Sequence, residues 1–274
     1  MKHFYDVIVM GGGPAGIMSA MASGKLGAQT LLIEKNGFLG GSATASVLGP
    51  ISPFHYKDEQ VINGIPQDFI DRMVREKGST GHMKTLDPFG SGDSLGFYDR
   101  EKYKYVAAQM LQEFGVDILY HSMLASVEME GRRVTGVTVM SKGGDLLRFQ
   151  AHVIVDATGD GDVAVRAGEN YTIGDAVTHT MSPSSAMFEM CNVDTMKVFR
   201  YRQDNPEDFE FISDIVPMRE FDSRLEQHYF VGQGFKKLVR QAVEAGDLEF
   251  GRDSVIVLNG IHPGTWCLRR LPAL

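Results

Sequence analysis

Gly11, Gly13 and Gly16 stand in a G-x-G-x-x-G spacing, and Glu34 follows eighteen residues past the last of them. Residues of these types in this order do phosphate chemistry without a cationic side chain. The first glycine permits a tight turn, the second removes a β-carbon so that backbone can approach a diphosphate, and the third lets a helix lie close to its strand. Unpaired amides and the positive end of the helix dipole then face the anion. Pro14 and Ala15 complete the turn. The Glu34 carboxylate, with Lys35 beside it, is suited to accept hydrogen bonds from both ribose hydroxyls of an adenosine. A 2′-phosphate would meet a like charge there. The nucleotide that these residues specify is FAD or NAD.

Such a loop works only between a strand and a helix. Asp6–Met10 is a short apolar run of the kind buried in a parallel sheet, Pro14 to about Lys25 is small and apolar enough for a close-packed helix, and Thr30–Glu34 reads as the next strand. This is a βαβ unit. Asp99 is placed to cap a helix running through Phe114, and Val116–Tyr120 returns as a strand. Leu124–Met129, Arg133–Met140 and Leu146–Phe149, separated by Gly131 and Gly143-Gly144, have the pattern of an antiparallel meander, followed by another buried strand, Val153–Asp156. Residues 37–96 read as loops around a site, with one helical patch at Pro66–Lys77. After Gly168 the composition shifts: Met181, Met187, Met190 and Met196 cluster and, with Cys191, read as core packing. Asp204–Glu210 is acidic and polar, and Phe235–Ala245 predicts an amphipathic helix.

The chain has 274 residues, 43% apolar and 23% charged, with a net charge of −8. No run of like charges offers a footprint for a nucleic-acid backbone. Cys191 and Cys267 are too few for a disulfide framework or a four-cysteine metal site, and neither has a cysteine or histidine at ligand spacing, so no metal is expected. Two cysteines suit a reducing compartment, and the expected address is cytoplasmic. Lys2, His3 and Val7–Met10 imitate a short secretory leader, but Gly11-Gly12-Gly13-Pro14 breaks the apolar run. No stretch approaches the roughly 20 apolar residues of a membrane span. Gly92-Asp93-Ser94-Leu95-Gly96 matches a nucleophile elbow in letters alone, without the strand before it or the helix after it.

Two further motifs decide between the nucleotides. Leu39-Gly40-Gly41-Ser42-Ala43-Thr44 follows Glu34 closely, where an NAD domain would enter its next helix, and Asp156-Ala157-Thr158-Gly159-Asp160-Gly161-Asp162 closes a predicted strand at the edge where α/β sheets place ligands. Together with Gly11–Gly16, Glu34 and the meander, these motifs resemble the FAD-dependent oxidoreductases of the two-dinucleotide-binding-domain type, over about residues 4–260. The resemblance implies FAD as cofactor. It places Gly40, Gly41, Ser42, Ala43 and Thr44 on the flavin side, Ala157, Thr158, Gly159 and Asp160 beside a flat ring system, and backbone near Leu124 at the adenine. The absence of cysteine from Gly41–Pro50 excludes the dithiol chemistry of flavin disulfide reductases.

The expected fold is α/β: a Rossmann-like FAD-binding domain over residues 1–168, with a parallel sheet and an antiparallel meander and with residues 37–98 loop-rich near the flavin side. A partial α+β substrate-side domain follows over residues 169–274. The expected function is hydride transfer between flavin and a small polar organic molecule, with neither nucleic acid nor membrane as partner and no indication of oligomeric state. His55, His179 and Arg219 are candidates for a base or an anion-binding group. The resemblance also implies a final strand and helix returning to the nucleotide domain, whereas His262–Leu274, with Trp266, Cys267 and Arg269-Arg270-Leu271-Pro272, does not continue that pattern. A dinucleotide-binding fragment that is truncated or non-catalytic, needing a partner or a missing segment, is the alternative expectation.

Overall fold

A computed structural model describes residues 2–56, 59–85, 94–181, 184–217, 229–249 and 253–270. The elements run β1 (Phe4–Met10), α1 (Pro14–Lys25), β2 (Thr30–Ile33), β3 (His55–Tyr56), β4 (Glu59–Gln60), α2 (Ile65–Arg75), β5 (Met83–Thr85) and β6 (Ser94–Leu95). Next come α3 (Arg100–Glu113), β7 (Asp117–Leu119), β8 (Ser122–Glu130), β9 (Arg133–Ser141), β10 (Leu146–Asp156) and α4 (Asp162–Arg166). The remainder is β11 (Ala186–Met190), α5 (Thr195–Asp204), β12 (Phe211–Pro217), β13 (Tyr229–Gly234), α6 (Lys236–Glu244), β14 (Val255–Asn259) and β15 (Trp266–Arg270). Contacts gather these into two units, one of Met1–Ser46, Gly64–Arg72 and Arg100–Ile173, the other of Val47–Asn63, Met73–Asp99 and Gly174–Leu274. Most of the segment 37–98 therefore groups with the second unit.

The first unit is built on a six-stranded sheet in the order β7-β2-β1-β10-β9-β8. β1 runs parallel to both β2 and β10, and β2 runs parallel to β7. Ile8, Val9, Leu31 and Leu32 have no exposed surface, as the β-branched and leucine runs require of strands covered on both faces. α1 buries Ile17, Ala20 and Met21, and α3 buries Tyr103, Val106, Ala107, Met110 and Leu111, the face predicted from its spacing.

β10 corrects the sequence reading. The third meander strand and the strand expected at Val153–Asp156 are one element of eleven residues. Its first part pairs antiparallel with β9 and its last part parallel with β1, so one strand turns the meander into the parallel sheet. Nor is it buried throughout: Phe149 and Ala151 face the core, but Val153, two residues further along the same face, is 53% exposed.

The second unit carries a seven-stranded sheet, order β11-β15-β14-β13-β12-β5-β6, antiparallel throughout. β5 and β6 lie in the stretch that reads as loops, and are too short to show a period. One face packs Met83, Leu95, Phe97, Tyr229, Val231, Leu258 and Cys267. The other packs Val257 and Trp266 against Val198 and Phe199 of α5. Residues 262–270, expected to leave the pattern, supply β15, which lies between β14 and β11 with Trp266 buried. The methionine cluster is a second correction. Met181, Met190 at the end of β11 and Met196 in α5 are exposed, as is Cys191. Among the described residues no helix is long and apolar enough to cross a membrane.

Candidate functional site

The glycine loop connects β1 to α1, and its geometry explains each glycine. Gly11 has φ +100°, donates its amide to Ile33 O at 2.8 Å, and has Ala157 O 2.5 Å from where a β-carbon would stand. A β-carbon on Gly16 would lie 1.8 Å from Gly11 O, so helix and loop touch backbone to backbone. Gly13 is different. A β-carbon there would meet nothing within 4 Å, so the space ahead of α1 is open. Gly13 is the N-cap, Pro14 follows, no side chain caps the helix and its first turn has no acid. The first intrahelical bond is Ile17 N to Gly13 O, which leaves the amides of Ala15 and Gly16 without a helical acceptor. Pro14 and Ala15 are exposed. The cradle is shaped and polarised for an anion, and none of the described residues fills the space at Gly13.

Glu34 closes β2 and is only 4% exposed. Its Oε2 accepts Gly12 N and its Oε1 accepts Asn36 N, both at 2.7 Å. The carboxylate is thereby fixed to the glycine loop, and each oxygen keeps a second lone pair. Burial, followed by the Glu34 charge, raises the pKa of the nearby Tyr120 phenol above its ordinary value. Lys35 is exposed.

The segment after Glu34 forms a shelf under the loop. Gly40 N donates to Gly12 O at 2.8 Å, and a β-carbon on Gly41 would stand 2.9 Å from Gly13 Cα. Ser42 is exposed, whereas Ala43 and Thr44 are buried. The Thr44 hydroxyl donates to Leu39 O at 2.7 Å, so it closes its own turn. Ala157 docks on the loop through its amide, which donates to Met10 O at 2.9 Å. Thr158 is partly buried; Gly159 and Asp160 are exposed. Leu124, on β8, packs partly buried against the core of this unit.

Two residues outside the predicted set belong to this arrangement. Gly12 ties the loop to Glu34, and a β-carbon there would strike Leu39 Cδ2 at 2.7 Å. Its signal was the unbroken Gly11-Gly12-Gly13 run. Asp156 accepts four hydrogen bonds from the turn that follows it. Burial pushes its carboxyl up, but donors from Thr158, Ala164 and Val163 together outweigh that and hold it below the usual carboxylate range.

In the second unit, His55 Nδ1 lies 3.0 Å from Ser94 Oγ, which also accepts Phe54 N at 3.2 Å. The His82 ring stands edge-on to His55 at 4.9 Å. Ser94, the serine of the elbow-like motif, has no exposed surface. His179 sits elsewhere, at φ +55° in an exposed turn held by Asp175. Arg219 lies outside the described residues. No group of three or more His, Cys, Asp or Glu among the described residues is arranged to hold a metal.

A parallel βαβ core, an uncapped helix behind a glycine loop, a fixed acid on the second strand and an antiparallel meander define a Rossmann-type dinucleotide-binding unit. Residues 6–263 match the family model for FAD dependent oxidoreductases, and the chain belongs to that family. It is 27% identical over 185 residues to the digeranylgeranylglycerophospholipid reductase of Methanocella arvoryzae, covering 63% of this chain and 44% of that protein. It is 30% identical over 178 residues to the thiamine thiazole synthase of Aeropyrum pernix, covering 60% and 58%. The chain spans about half the length of these curated relatives. Among solved structures, a geranylgeranyl bacteriochlorophyll reductase-like protein from Thermoplasma acidophilum aligns with a TM-score of 0.54 at 16% identity, over 99% of this chain and 57% of that one. The myxobacterial chondrochloren halogenase, a variant of FAD-dependent halogenases, aligns with a TM-score of 0.56 at 14% identity, over 99% and 53%. These structures share its fold.

Proposed function

We propose that the first unit binds FAD and that the protein transfers a hydride between the flavin and a small polar organic substrate. The observation that carries this reading is the open N-terminus of α1 facing no acid of its own, with the Glu34 carboxylate anchored to the same loop. When bound, FAD supplies a hydride acceptor at its N5 atom.

The chain's own residues then have separable tasks. Gly11, Gly13 and Gly16 let backbone approach the diphosphate, and the amides at Ala15 and Gly16, following Pro14, hold it. Glu34 offers its remaining lone pairs to the ribose hydroxyls, and because two backbone amides fix it, its orientation costs nothing further on binding. Lys35 lies beside the same sugar, and Leu124 lies toward the adenine. Gly40, Gly41, Ser42, Ala43 and Thr44 support the flavin side through backbone, with the exposed Ser42 hydroxyl as the polar contact. Ala157, Thr158, Gly159 and Asp160 line the other edge.

We assign the nucleotide to residues 1–168 and the substrate to the chain beyond them. His55, which hydrogen-bonds Ser94 within the loop-rich segment 37–98, is a candidate base, and His179 and Arg219 are further candidates for a base or an anion-binding group. The relatives named above act in unlike reactions, so the substrate class rests on this chain alone. The experiment is an absorbance spectrum of the purified protein before and after incubation with FAD. Retained flavin bands that bleach under a substrate in the absence of air support the reading; a colourless protein that takes up no FAD refutes it.

A further inference from the structure

We propose that Asp156 is a positioning residue for the dinucleotide: its carboxylate locks the 157–161 turn against the glycine loop, and FAD affinity depends on that lock. The inference rests on the reading of the first unit as the FAD site.

Asp156 is the last residue of β10. Oδ1 accepts the Thr158 amide at 3.1 Å and the Thr158 hydroxyl at 2.6 Å. Oδ2 accepts the amides of Val163 and Ala164 at 2.9 and 3.0 Å, in the first turn of α4. The Thr158 oxygen in turn accepts Asp162 N at 2.7 Å. One carboxylate therefore gathers both ends of the turn, and an ionised acceptor makes these bonds about twice as strong as neutral ones.

The turn it fixes is a wall of the proposed site. Ala157 N donates to Met10 O at 2.9 Å, and Ala157 O stands 2.5 Å from the position a Gly11 β-carbon would take. The Ala157 methyl lies 3.2 Å from the corresponding position at Gly16. Any displacement of Ala157 is thus a displacement of the diphosphate loop's backing. On its other side the turn is open: a β-carbon on Gly159 would meet nothing within 4 Å. An asparagine at 156 keeps the shape but not the charge, and its amide nitrogen cannot accept from two backbone amides.

The test compares the wild-type chain with Asp156→Asn, Thr158→Val and Thr158→Ser, measuring FAD dissociation constants by flavin fluorescence and the melting temperature of each apo-protein. Asp156→Asn is expected to weaken FAD binding about 10- to 100-fold, the range of one charge-assisted hydrogen bond. Thr158→Val weakens it as well, while Thr158→Ser, which keeps the hydroxyl, restores it to within about threefold of wild type. A merely structural role would lower the melting temperature and leave the dissociation constant unmoved, and that outcome overturns the proposal. Where Asp156→Asn does not fold, the Val and Ser pair decides: equal affinities of the two overturn it. A wild-type chain that takes up no FAD overturns the functional reading and this inference with it; a wild-type chain that binds FAD no better than Asp156→Asn overturns the inference alone.

Discussion

The helices α1 and α6 each start from a glycine-bearing turn at the end of a strand, and their N-termini are treated in opposite ways. α6 follows β13 and is met by Asp208, 1% exposed, whose Oδ1 accepts Lys237 N at 2.6 Å. Phe209 fills the space over Gly234 so closely that a β-carbon there would stand 2.2 Å from its ring. α1 follows β1 with no capping side chain, no acid in its first turn and empty space over Gly13. The helix dipole favours negative charge at the N-terminus of each. In the second unit the fold supplies that charge itself, and in the first unit it leaves the position for an anion from outside. A glycine before a helix therefore means packing in one place and ligand access in the other, and only its neighbours tell which.

The largest effect expected on stability comes from removing the close approach that defines the first turn. Gly16→Ala places a methyl 1.8 Å from Gly11 O, a clash of the class that costs more than about 4 kcal/mol. Cooperative melting of the first unit should be lost; a native-like melt would show that the backbone there yields. Removing the internal anion of α6 ranks next. Asp208→Ala strands Lys237 N and the Tyr201 hydroxyl, for about 2 to 4 kcal/mol, and chemical denaturation should show it with FAD content unchanged.

A smaller and opposite effect sharpens the comparison most. Gly13→Asp gives α1 the acid that α6 already has, and a β-carbon at Gly13 meets nothing within 4 Å. The apo-protein should gain about 0.5 to 1 kcal/mol from the cap while FAD uptake falls away; unchanged uptake in an equilibrium titration would break the comparison. The smallest effect is a titration. The hydrogen bond to Asp208, then burial, pushes the Tyr201 phenol up to about 12. Because the folded value lies above the ordinary one of about 10, the neutral phenol's contribution is complete below pH 10 and is lost as pH rises through the folded value. Ultraviolet titration of phenolate absorbance should show Tyr201 ionising after exposed tyrosines, and ionising earlier in Asp208→Ala.

Legibility in the sequence differed between the units for a physical reason. α1 was expected from Pro14 to about Lys25 and spans those residues, because its glycines, its proline and its apolar spacing are all local. The meander strands were placed by Gly131 and Gly143-Gly144, which mark their turns. β5 and β6 left no such trace. They are three and two residues long, and β5 is defined by pairing with β12 more than a hundred residues away. The same holds for β10, where local pattern shows two strands but cannot show that one strand changes partner along its length. At the candidate site, Glu34 was legible as an acid at the right distance, whereas Asp156 was visible only as a letter in a motif, since its role lies in four donors that the folded turn brings to it.

By itself, then, the order of residues determined the βαβ unit, the glycine loop and the acid hydrogen-bonded to it, because those depend on contacts among neighbours in sequence and on the conformations that glycine and proline favour. The tertiary structure alone decided which carboxylates are used inside the protein and which helix end stays open, because a charge is satisfied by whatever donors surround it in space, as Asp208 is by Lys237 N, and the space over Gly13 is open only because the folded chain keeps clear of it.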